Sequence, residues 1–92
     1  MENIIKDKIN DFGNYLLSIC KSDDSKILIE NKIKNLKLYE ILLFISFLQP
    51  DKINGEIDLL IKNFNLQDNE EVKNKILNYI LYFIEVKKII NK

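Results

Sequence analysis

Ninety-two residues carry fourteen lysines against fourteen acids, one cysteine and no histidine. A chain of that length reads as one domain, 1–92, burying roughly 60–65% of the surface its unfolded form exposes. Zero formal net charge supplies no global field toward nucleic acid, anionic membrane or acidic substrate, and a single cysteine excludes an internal disulfide framework.

The first helical pattern spans 3–20, where Ile5, Ile9, Phe12, Leu16 and Ile19 recur at spacings of four and three. Gly13 interrupts it at a cost of about 1 kcal/mol against Ala, so it either permits a close helix crossing or is tolerated. Lys21-Ser22-Asp23-Asp24-Ser25 forms a turn-like cluster with several residues able to cap a helix after it. Residues 26–34 are ambiguous. Ile27-Leu28-Ile29 suits a short buried strand, yet Glu30 and Lys34 make an acid-before-base pair at i,i+4. The same pairing recurs as Glu2–Lys6, Asp58–Lys62 and Glu71–Lys75, which favours helix.

Residues 36–48 are apolar nearly all round, with Lys37, Glu40 and Ser46 as the clear exceptions. Such a helix is expected to be buried on several sides. Gln49-Pro50-Asp51 reads as the turn that stops it. Ile53, Ile57, Leu60, Ile61 and Phe64 then mark a short amphipathic helix, with a break over 63–69. In the last helix, Asp68-Asn69-Glu70-Glu71 fits a capping box with Asp68 as the cap, and Lys87, Lys88 and Lys92 lie at the far end, where the helix dipole favours positive charge. Val72, Ile76, Tyr79, Phe83, Val86 and Ile90 form one stripe; Leu77, Leu81 and Ile84 form a second. The expected fold is all-α, a bundle of four to five helices.

Ile, Asn, Lys and Leu fill 56 positions, and Ala, Arg, His, Thr and Trp are absent. That is the bias of an AT-rich coding sequence, of the kind found in some bacteria, phages, large DNA viruses and protists. It also limits chemistry. No imidazole is present to shuttle protons or bind metal, and no guanidinium to clamp phosphate. The two glycines lie too far apart for a phosphate-cradling loop or a nucleophile elbow. Met1-Glu2-Asn3 lacks the basic start of a signal peptide. The longest nearly unbroken apolar run, 41–48, is well short of the roughly 18–20 residues of a membrane span. A cytoplasmic protein with no membrane, cofactor, metal or small-molecule substrate is expected.

Several local patterns have plainer roles than the chemistry they resemble. Asn54-Gly55-Glu56-Ile57-Asp58 looks like the centre of a calcium-binding EF-hand loop. Carried outward, however, that register puts Pro50, Lys52 and Ile61 where ligands belong, so a helix start is the better reading. A helix-turn-helix over 53–64 and 68–79 would present Glu70 and Glu71 to phosphate. Asp23-Asp24 and Glu70-Glu71 suit turn and cap duty better than metal binding, and Cys20 suits a small hydrophobe.

What stands out is apolar content: 35 residues are Ile, Leu or Phe. Either the third helix is central with the fifth across it, or a wide apolar face is covered by another chain. The second alternative predicts a non-enzymatic protein–protein interaction domain: a structural subunit, a self-associating adaptor, or an inhibitor such as viruses and mobile elements encode. Its expected anchors are Tyr79, Tyr82, Phe83 and Val86 in the last helix, with Phe44 and Phe47 in the third. The alternative from another class is a small helical subunit of a nucleic-acid-binding complex, acting through Lys32, Lys34 and Lys37. An enzyme would need a pocket with a shifted carboxylate or lysine.

Overall fold

The computed structural model describes residues 2–90, and side chains from residue 5 to residue 89. The expected Glu2–Lys6 pair, Ile90 in the first stripe and Lys92 lie outside the side chains described. Among the described residues there are five α-helices and no strand: α1 (Glu2–Ile19), α2 (Asp23–Lys34), α3 (Lys37–Ser46), α4 (Pro50–Asn63) and α5 (Glu70–Ile90). The all-α fold expected from the periodicity is the one the chain adopts.

Local chemistry sets the helix boundaries. Ser22 caps α2: it is extended, its hydroxyl oxygen accepts the Ser25 N–H at 3.2 Å, and it also bonds the Ser25 hydroxyl at 2.8 Å. This resolves the ambiguity of 26–34, because a capped helix with Asp23 and Asp24 in its first turn satisfies the backbone locally. Leu36 follows the end of α2 in the left-handed conformation, φ 59°, a place where glycine is usual and a bulky side chain is strained. It therefore separates α2 from α3 rather than opening the third helix from within. Pro50 occupies the first turn of α4 with Gln49 as the N-cap. The proline expected to form a turn starts a helix instead, since its missing N–H is no loss there.

Residues 50–63 being helical, no calcium loop exists at Gly55, and a Cβ on that glycine would meet nothing. The cap of α5 is Asn69, whose Oδ1 accepts the Val72 N–H at 2.9 Å. That is one residue later than expected, so Asp68 and Glu71 do not make a capping box.

The middle three helices close a ring. α2 runs into α3 through Asn35 and Leu36, and α3 into α4 through 47–49. The end of α4 is then tied back to the start of α2. Cys20 and Leu66 form an isolated antiparallel bridge, with Lys21 N–H donating to the Asn65 carbonyl at 3.0 Å and Gln67 N–H to the Ile19 carbonyl at 2.9 Å. Asn65, itself at φ 51°, also donates from Nδ2 to the Ser22 hydroxyl at 3.4 Å. Asn takes the left-handed conformation more readily than Leu36 does.

The core lies behind this ring. α1 contributes Phe12 and Leu16, α2 Ile29, α3 Leu38 and Ile45, α4 Ile57, and α5 Ile76 and Ile80, all fully buried. Ile80 belongs to neither expected stripe; the buried line of α5 runs Val72, Ile76, Ile80, Phe83. Gly13 is a close crossing. A Cβ there would lie 2.7 Å from Ile33 and 3.1 Å from Leu38 Cδ1, so the missing side chain lets α1 approach α2 and the start of α3. The expected i,i+4 pairs at Glu30–Lys34, Asp58–Lys62 and Glu71–Lys75 are not among the ion pairs of the described residues. Instead Lys73 reaches Asp58 at 3.5 Å and Asp68 at 3.7 Å, and Lys37–Glu40 and Glu85–Lys88 pair at i,i+3.

Candidate protein-docking surface

The third helix is not enclosed. Leu38, Leu42 and Ile45 face the core, while Tyr39, Phe44 and the cap residue Phe47 are exposed. The expectation of a helix buried on several sides holds in part: α3 packs against α1, α2 and α5, but its remaining side, toward the depression shared with α4, stays open.

On its open side lies a concave mouth of about 490 Å³, bordered by α2, α3 and α4. Leu28, Phe44 and Leu59 reach it from three different helices, and they remain 39%, 57% and 48% exposed. Ile41, Ile45, Leu60 and Phe64 add further apolar lining, and the polar members are Lys32, Glu40, Glu56 and Asn63. Glu40 is engaged by Lys37 at 3.2 Å. Lys32 and Glu56 are half-buried and have no ion-pair partner among the described residues.

The six residues expected to form one interface are divided among three places. Phe44 is at the mouth. Phe47, Val86 and Phe83 surround a smaller cavity of about 160 Å³ between α3 and α5, where Tyr39 packs edge-on against Phe83 at 5.7 Å. Phe83 is only 7% exposed, so its assignment as a surface anchor is corrected: it is a core residue, covered by α3. Phe47 is 69% exposed, but Lys87 stands 3.5 Å from its ring centroid. The same ammonium donates to the Ser46 carbonyl at 3.3 Å, placing a positive charge at the negative end of α3.

Tyr79 and Tyr82 share the side of α5 that carries Phe83 and Val86, by their i, i+3, i+4, i+7 spacing, but meet α1 instead of α3. Lys8 stands 4.6 Å over Tyr82 and 5.9 Å from Tyr79, while Lys75 stands 5.3 Å over Tyr15. Tyr79 also packs 5.1 Å from Phe12, which anchors it to the core. Partial burial raises the Tyr15 phenol above its ordinary value of 10.0, helped by the charges of Glu71 and Tyr79. Burial raises Tyr79 as well, with Asp11 adding to it. These rings serve packing and intrachain cation–π contacts.

The lysines of the alternative reading are likewise dispersed in role. Lys32 and Lys34 lie in the last turn of α2, where they complement its dipole; Lys32 borders the mouth and Lys37 is paired with Glu40. Leu28 and Leu59 escape sequence reasoning. The available signal is positional: Leu59 falls off the buried stripe of α4, and Leu28 lies beside Ile29, the residue that α2 buries.

Among the described residues no group of three or more Cys, Asp or Glu could hold a metal ion, and no buried side-chain polar atom lacks a hydrogen bond. No described helix is long and apolar enough to cross a membrane. Compared with known proteins, the chain matches no family model, no curated protein and no solved structure.

Proposed function

We propose that this chain is a non-enzymatic protein-interaction domain that seats apolar side chains of another polypeptide in the α2–α3–α4 mouth. It would act in the cytoplasm as a structural subunit, adaptor or inhibitor. The observation that carries the reading is the convergence of Leu28, Phe44 and Leu59 on one concave site while all three stay open to water. Scattered exposed apolar residues are ordinary, but apolar side chains gathered in a depression are the form that helix-in-groove and knob-in-pocket recognition takes. Polar groups at the rim would set orientation.

A photo-crosslinking amino acid placed at Phe44, at Leu59, and at the exposed control position Asn14 on α1 tests this in cells that naturally make the protein. Crosslinks to polypeptide at 44 and 59, and not at 14, are expected. Crosslinks to nucleic acid alone, equal labelling at all three positions, or no adduct at 44 and 59 would overturn the reading.

A further inference from the structure

We infer that the occupant of the mouth is a second copy of this chain, joined about a two-fold axis. The inference rests on the docking function proposed above and adds the identity of the partner. Two features make the surface complementary to itself. The mouth brings exposed apolar side chains from three helices, Leu28, Phe44 and Leu59, onto one face, so the same patch can serve both partners of an isologous contact. Its border also carries one cation on α2, Lys32, and one anion on α4, Glu56, neither paired among the described residues. A two-fold axis in the plane of the mouth, passing midway between them, exchanges their positions. Each lysine then meets the partner's glutamate, twice per dimer.

Overall charge and size permit the pairing. At zero formal net charge, two copies approach without mutual repulsion. A stable pair needs about 800 Å² from each partner, which is about one eighth of the 6136 Å² that the chain exposes.

The test is the molar mass of the full chain by light scattering over a dilution series. A dimer that dissociates on dilution is expected. Phe44→Asp should raise the dissociation constant roughly thirtyfold or more, the effect of losing a central aromatic anchor. Leu59→Asp provides a second probe if the first variant loses helical circular dichroism. Lys32→Glu and Glu56→Lys should each weaken the homodimer at low salt, because each sets like charges opposite each other. Mixing these two variants should restore a dimer, since positions 32 and 56 then carry opposite charges at both contacts across the axis. The corresponding reversals at Lys6 and Asp7, exposed on α1, should change nothing.

A dimer indifferent to Phe44→Asp and to the charge reversals overturns the inference, because another face then joins the copies. A monomer at every concentration also overturns it. In that case crosslinks from Phe44 to a different polypeptide leave the docking function standing, and their absence removes both.

Discussion

Along α1 and α5, Phe12, Leu16, Ile76 and Ile80 are wholly buried, whereas on the α2–α3–α4 side Leu28, Phe44 and Leu59 of similar type stay open. Composition does not separate the two regions; arrangement does. α1 packs mainly on α2, α3 and α5, α3 on α1, α2 and α5, and α5 on α1, α3 and α4, whereas α2 packs mainly on α1 and α3 and α4 mainly on α5. Little direct packing joins α4 to α2 or α3, so the ring they close leaves a depression between them, bordered by the outer side of α3. The molecule is also thin, 18 Å along its shortest axis, or about two helix layers. A helix in a shell that thin presents one side to solvent whatever its sequence. Surplus apolar residues on α3 thus become surface by geometry, and the proposed docking site is built from them.

Truncating one residue in each region separates packed from open surface most widely. Leu16→Ala empties fully buried space and should cost about 3–5 kcal/mol in urea unfolding. Phe44→Ala, measured on the monomer, should stay within about 0.5 kcal/mol because little packing is lost. Equal losses would mean that the mouth is as well packed as the core.

Gly13→Ala probes the crossing that holds α1 against the ring. Better helix propensity favours the alanine, but its Cβ 2.7 Å from Ile33 forces a shift. A net destabilisation of about 1–3 kcal/mol is expected, much of it recovered when Ile33→Ala is combined in a double-mutant cycle. Additivity of the two changes would show that no crossing contact exists there.

A smaller effect of opposite sign is expected where the ring is strained. Leu36→Gly removes a left-handed leucine and should stabilise by about 0.5–1 kcal/mol in thermal or urea unfolding. A loss of stability would mean that the exposed Leu36 side chain contributes packing that outweighs the strain.

The smallest effect concerns pH. Tyr15 and Tyr79 have folded values raised above 10.0, chiefly by burial, so the unfolded chain loses these protons first. Where the folded state binds more protons, stability falls with rising pH. Their contribution is complete below pH 10.0 and is lost as pH climbs from there through the folded values. Lys73, raised first by Asp58 and then by Asp68, acts in the same direction, losing its ion pairs in the alkaline range. Denaturant midpoints should therefore be flat across neutral pH and decline in the alkaline range. The decline should be shallower in Tyr15→Phe and Tyr79→Phe; an unchanged slope would remove the tyrosines from the account.

Much of this architecture is legible along the chain, and the failures are informative. The α1 stripe of Ile9, Phe12, Leu16 and Ile19 and the α4 stripe of Ile53, Ile57, Leu60 and Ile61 are buried as their spacing implies. Pro50 misleads because a proline after an apolar run suits either the end of one helix or the first turn of the next. Ile80 is hard to single out because α5 is apolar on two sides, and periodicity alone does not rank them. The mouth is half visible: Phe44 stands out in its apolar run, but Leu28 and Leu59 join it through packing between helices, with the ends of that arrangement tied together at Cys20–Lys21 and Asn65–Leu66. No local pattern announces a contact between segments that far apart.

Sequence by itself determined the all-α class and four of the five helices, through 3.6-residue periodicity and the breaks between apolar runs, because those forces act within a few residues. Along the chain α2 stays open between strand and helix until its Ser22 cap is in place. Tertiary structure alone decided that Phe83 is core and Phe44 is surface. Burial is set by what stands across from a side chain, and for these two phenylalanines that depends on helices far away along the chain.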